Sequence, residues 1–123
     1  MEENGKKILI VEDEPDILMM VKSRLENCRF QVATVSDGDE AMDTIFKEKP
    51  DLVILDLMLP GAGGYELCLK IKQDKTLTSL PVIMYSSRVG DLDKNMGLSC
   101  GADGYVPKCN SFNKLLDMID KFI

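Results

Sequence analysis

The chain has 123 residues, 21 of them acidic and 15 basic, for a formal net charge of −6. That length fits a single domain spanning 1–123 with a core of its own, and the acidic balance argues against direct nucleic-acid binding, which needs a basic face to displace counterions. With no histidine and no C-x-x-C spacing among Cys28, Cys68, Cys100 and Cys109, a zinc site is not expected and the thiols read as reduced, as in the cytoplasm.

Met1-Glu2-Glu3-Asn4-Gly5 is acidic and polar, unlike a signal peptide, and no apolar run approaches the roughly 20 residues that span a membrane. Ile8-Leu9-Ile10-Val11 is an unbroken β-prone run that stops at Glu12-Asp13-Glu14. Pro15 opens a helix with Ile17, Leu18, Val21 and Leu25 at helical spacing. Phe30 to Val35 reads as a short strand. Asp37 begins a second helix, with Glu40 completing a capping-box-like pair and Ala41, Met42, Ile45 and Phe46 as its apolar face.

Leu52-Val53-Ile54-Leu55 is apolar without alternation, as in a central parallel strand covered on both faces. It ends at Asp56, and Pro60-Gly61 and Gly63-Gly64 turn the chain, which predicts Asp56 at the mouth of a cleft rather than inside it. Tyr65, Leu67, Cys68 and Ile71 mark a third helix, and Pro81 to Ser86 a fourth strand. Residues 88–100 predict a loosely held fourth helix, weakened by Gly90 and Gly97, with Gly101 just past its end. Asp103-Gly104-Tyr105-Val106 is a fifth strand, and Phe112, Leu115, Leu116, Ile119 and Phe122 line a last helix. Five strands alternating with five helices, without hairpin turns, predict an α/β fold: a flavodoxin-like (βα)5 doubly wound parallel sheet, order 2-1-3-4-5, helices on both faces.

That order brings Glu12, Asp13 and Asp56 to one sheet edge, where ligands bind in open α/β sheets. Two carboxylates about 5 Å apart repel by roughly 3 kcal/mol at an effective dielectric of 20, a cost that a hard divalent ion removes. Mg2+ suits a site of few carboxylates, waters and a phosphoryl group. Ser86 and Lys108, at the ends of the fourth and fifth strands, are groups that hold phosphoryl oxygens. Each residue alone has a plainer reading: a turn-capping Asp, an exposed acidic loop, a surface Lys, a packing Tyr.

Glu12-Asp13, Asp56 with Pro60-Gly61, Ser86, Gly101-Ala102-Asp103-Gly104-Tyr105 and Lys108 together resemble the receiver domain of two-component response regulators, over essentially the whole chain. The resemblance implies that Asp56 is the phosphoacceptor for a phosphohistidine on a histidine kinase or histidine phosphotransfer protein. It implies that Mg2+, with Mn2+ an alternative, is held by Asp13, Asp56 and the backbone carbonyl of Met58, with Glu12 acting through water. Ser86 and Lys108 would contact the phosphoryl oxygens, and Ser86 and Tyr105 would form the switch, altering the surface of the fourth helix, fifth strand and last helix. Such a domain is not an enzyme on other substrates. It is a cytoplasmic monomer or phosphorylation-dependent dimer, makes no membrane contact, and acts on a downstream protein target or through an output domain outside this sequence.

The chain departs from the family pattern at Ser86 (usually Thr), Glu12 (usually Asp), Gly63 (often Asp), Ser87 (often Ala) and Cys109 (usually Pro). A cis bond before a non-proline costs roughly 3 kcal/mol, so the chain keeps that strain at Lys108-Cys109 or has a trans bond and a different lysine placement. Cys109 beside Lys108 reads as an inert thiol, with a redox role as the alternative. Three other functions share features with the chain. A flavin carrier needs a phosphate-cradling loop where Glu12-Asp13-Glu14 stands. A haloacid-dehalogenase-like phosphatase needs a second Asp at position 58, which is Met. A receiver-like interaction module that is never phosphorylated would not need all five functional positions filled.

Overall fold

The fold was obtained as a computed structural model, which describes residues 5–59, 61, 63–87, 95, 98–108 and 111–123. Five strands form one parallel sheet in the order β2-β1-β3-β4-β5: β1 (Lys7–Val11), β2 (Gln31–Val35), β3 (Leu52–Leu55), β4 (Val82–Ser86) and β5 (Gly104–Pro107). The helices α1 (Pro15–Asn27), α2 (Gly38–Glu48) and α3 (Gly64–Gln73) and a last helix, Phe112–Phe122, complete the described elements. This is the flavodoxin-like doubly wound fold that the sequence predicts. The weak fourth helix expected over 88–100 falls largely outside the described residues.

The unbroken apolar runs explain the sheet's place in the middle. Ile8, Ile10, Leu52, Ile54 and Ile83 face one side, where they meet Val21 and Leu25 of α1 and Leu115 and Ile119 of the last helix. Leu9, Val11, Val53, Leu55 and Met84 face the other, against Ala41 and Ile45 of α2 and Leu67, Cys68 and Ile71 of α3. Side chains alternate along a strand, so a run that is apolar at every position is buried on both faces. β2 is an edge strand, and its partly exposed pattern follows from that.

Local chemistry sets the helix ends. Pro15 sits in the first turn of α1. The Asp37 carboxylate caps α2 by accepting from the Asp39 N–H at 2.7 Å, so the cap is a bond to Asp39 and not the expected pairing with Glu40. Lys49 ends α2 in the left-handed region at φ 50°, ahead of Pro50. Phe46, expected on the apolar face of α2, is 47% exposed. Gly101 has φ 97° and accepts no strain by doing so. At the edge opposite the acidic strand tips, Lys72 donates to the Leu80 carbonyl at 2.6 Å and to Asp103 at 2.8 Å. Asp103 also accepts from the Val82 N–H at 2.8 Å. Among the described residues, no helix is long and apolar enough to cross a membrane.

Candidate functional site

Register places the acids. β1 and β3 pair with Val11 opposite Leu55, so the next residues, Glu12 and Asp56, stand side by side as the strands end. Both backbones are pinned: the Glu12 N–H bonds Val35 and the Asp56 N–H bonds Val11, at 3.1 and 3.0 Å. On the other flank, Ser86 lies opposite Pro107, and the Lys108 N–H bonds the Ser86 carbonyl at 2.7 Å. Four adjacent strands thus deliver Glu12, Asp56, Ser86 and Lys108 to one edge.

Carboxylate oxygens of Glu12, Asp13 and Asp56 lie within 4.8 Å of one another. Glu12 and Asp56 are buried, and Asp13 is exposed to solvent. The Lys108 ammonium reaches between the two buried acids, 2.6 Å from Glu12 Oε1 and 3.2 Å from Asp56 Oδ2. The remaining carboxylate oxygens accept backbone donors: Glu14 N–H to Glu12 Oε2 at 3.2 Å and Met58 N–H to Asp56 Oδ1 at 3.3 Å. Burial pushes the Glu12 carboxyl up to about 7, further than the hydrogen bond from Lys108 pulls it down, and the Asp56 charge adds to the rise. Burial works against the Lys108 ammonium, but its contacts with Glu12 and Asp56 outweigh that and raise its pKa.

The structure brings together Glu12, Asp13, Asp56, Ser86 and Lys108, the residues expected at the site. It differs on the placement of Asp56. Asp56 is 5% exposed, so it lies inside the site under Lys108 and not at an open mouth. Glu12 touches Lys108 directly. Tyr105 is already buried, packed in the cluster of α2 and α3. Ser86 is fully buried, and the Met58 side chain is 57% exposed. Pro60 and the Lys108–Cys109 peptide lie outside the described residues.

A supporting residue escaped the sequence reading. A Cβ on Gly64 would collide with the Asp56 carbonyl and lie 2.6 Å from Leu57 Cα, and the Gly64 N–H bonds the Leu57 carbonyl at 3.1 Å. The start of α3 thus packs directly on the backbone that carries Asp56. The Gly63-Gly64 pair was the available signal, but composition reports only a turn. The donor set suits a hard cation: three carboxylates with converging oxygens offer oxygen ligands alone.

Residues 8–120 match the family of the response regulator receiver domain. The chain is 42% identical over 104 residues to the alkaline phosphatase synthesis transcriptional regulatory protein PhoP of Bacillus subtilis (strain 168). That match takes in 85% of this chain and 42% of PhoP, so the chain spans less than half of this relative's length. Among solved structures it is similar to the BeF3-activated N-terminal receiver domain of Klebsiella pneumoniae RstA. The TM-score is 0.88 at 32% identity, covering 94% of this chain and 97% of that one. It is also similar to the Mn2+-bound form of the response regulator Rcp1, with a TM-score of 0.80 at 26% identity, covering 94% of this chain and 90% of that one. The chain belongs to the response regulator receiver domain family. It is a signalling domain of two-component systems, and its acidic cluster is compatible with a divalent metal ion.

Proposed function

We propose that this receiver domain accepts a phosphoryl group on Asp56 from a phosphohistidine of a histidine kinase or histidine phosphotransfer protein. The observation that carries the reading is the Lys108 ammonium bridging Glu12 and Asp56 beside a third converging carboxylate. That arrangement supports anion transfer onto an acid that would otherwise repel the donor.

Asp56 Oδ attacks phosphorus, the P–N bond to the imidazole breaks, and the imidazole leaves with the bonding electrons. The chain holds no histidine, so the donor comes from another protein. Glu12, Asp13, Asp56 and the Met58 backbone carbonyl would hold Mg2+, with Mn2+ as an alternative. When bound, the ion neutralises charge on the acids and the phosphoryl oxygens. Lys108 is already within hydrogen-bond distance of Asp56 Oδ2, so it positions the nucleophile and can then follow the charge onto a phosphoryl oxygen. The Ser86 hydroxyl is a donor on the neighbouring strand for a second oxygen. Hydrolysis of the acyl phosphate resets the site, so the domain turns over only its own modification.

Ser86 and Tyr105 are the switch pair in this reading. A shift of Ser86 toward the phosphoryl group alters the packing of Tyr105 on the adjacent strand, and with it the surface of β5, the last helix and the segment between β4 and β5. That surface meets a downstream protein or an output domain, as a monomer or as a phosphorylation-dependent dimer. Residues 1–123 form one receiver domain, working in the cytoplasm and without nucleic-acid contact of its own. Intact-mass spectrometry after incubation with acetyl phosphate and Mg2+ tests the proposal. One added phosphoryl group, absent in Asp56→Asn and without Mg2+, is expected. An unmodified chain, or the same gain in Asp56→Asn, overturns it.

A further inference from the structure

Two cysteines with no part in the phosphoryl site converge on the far side of α3. Cys68 is fully buried, and Cys100 is half-buried. The Cys68 thiol donates to the Cys100 carbonyl oxygen at 3.5 Å, and Cys100 packs against the same apolar cluster that contains Cys68. By standard backbone dimensions a carbonyl oxygen lies about 2.4 Å from its own Cα, so the Cys100 Cα is within about 6 Å of the Cys68 sulfur. A disulfide needs Cα atoms about 4.4–6.8 Å apart, so closing the bond takes a small inward shift of residue 100 as well as a side-chain rotation.

The approach is held by more than the thiol. Lys72 follows Cys68 by one helical turn and faces the same stretch of chain. Its ammonium grips Asp103, and its Cγ lies 2.8 Å from where a Cβ on Gly101 would be. Residues 100 to 103 are therefore held along α3, with the Cys100 backbone against the Cys68 thiol.

We propose that Cys68 and Cys100 form a reversible, redox-controlled disulfide that ties α3 to the chain entering β5. Hydrogen peroxide is the oxidant class. The Cys100 thiolate, reachable from solvent, attacks one peroxide oxygen. The O–O bond breaks, hydroxide leaves and takes up a proton, and Cys100 becomes a sulfenic acid. The Cys68 thiol then attacks that sulfur, the S–O bond breaks, and the oxygen leaves as water with the thiol proton. Two thiols and one peroxide give one disulfide and two waters. Burial pushes the Cys68 thiol up to about 12, so Cys68 resolves and Cys100 initiates.

The test treats the full chain with a small excess of peroxide, alkylates the remaining thiols and maps peptides without reduction. The expected product is a cross-link between the Cys68 and Cys100 peptides, reversed by dithiothreitol, kept in Cys28→Ser and lost in Cys100→Ser. Because the bond closes a loop of 32 residues, the oxidised chain should also melt several degrees higher than the reduced one. Full alkylation of both thiols after peroxide overturns the proposal. So does oxidation that stops at a Cys100 sulfinic acid, or a cross-link through Cys28, Cys109 or a second chain.

Discussion

At the scale of single residues, the site is a competition for one ammonium. Lys108 neutralises the equivalent of one of two buried carboxyls, but burial still holds the Glu12 carboxyl up to about 7 against 4.5 when unfolded. The folded state therefore binds more protons than the unfolded state between those values. Glu12's contribution to stability is full below 4.5 and is lost as pH rises to about 7. A divalent cation favours the ionised group, so its stabilising effect should grow through the same window. Melting curves with and without Mg2+ should show a larger shift at about pH 8 than at about pH 6, and Glu12→Gln should flatten that difference. Lys108→Met removes the competing charge. Titration calorimetry should find tighter Mg2+ binding, by about tenfold, and acetyl phosphate should label the variant more slowly. The acids were legible in the sequence because each ends an apolar run abruptly. Lys108 was legible at the same edge, but its direct contacts with Glu12 and Asp56 were not, because they depend on strand register and on a side-chain path fixed only in the folded chain.

At the scale of elements, the junction of β3 and α3 shows how a glycine's place decides its effect. As a helix residue, Gly64→Ala should gain about 1 kcal/mol from propensity. The new Cβ would instead strike the backbone of Asp56 and Leu57, and we expect a net loss of about 1–3 kcal/mol by urea denaturation, with slower labelling of Asp56. One residue earlier the sign reverses. Gly63 is the N-cap of α3 with no side-chain cap bond, and a Cβ there meets nothing within 4 Å. Gly63→Ser should stabilise by a few tenths of a kcal/mol up to about 1. Periodicity located α1, α2, α3 and the last helix correctly, because each carries a recurring apolar face. It overstated that face at Phe46, which the end of α2 leaves half in solvent. It missed the Lys72–Asp103 clamp altogether, since the partners are 31 residues apart and neither is unusual in its local context.

For the molecule as a whole, the strand order followed from the alternation of strands with helices and from the absence of hairpin turns. That order gathers the acids, and the net charge of −6 adds to the pull on a cation. Mg2+ at ten times its dissociation constant should stabilise the fold by about 1.4 kcal/mol, read as a rise in melting temperature. Asp13→Asn should lose most of that rise without disturbing the core, because Asp13 lies outside it.

The sheet also divides the interior into two compartments that share no side chain. Tyr85 and Tyr105 lie on neighbouring strands yet belong to opposite compartments. A disturbance at Tyr105 is therefore shared with the α3 side through its side chain and with the last helix through the β5 backbone. Packing on one side can thus change without repacking the other.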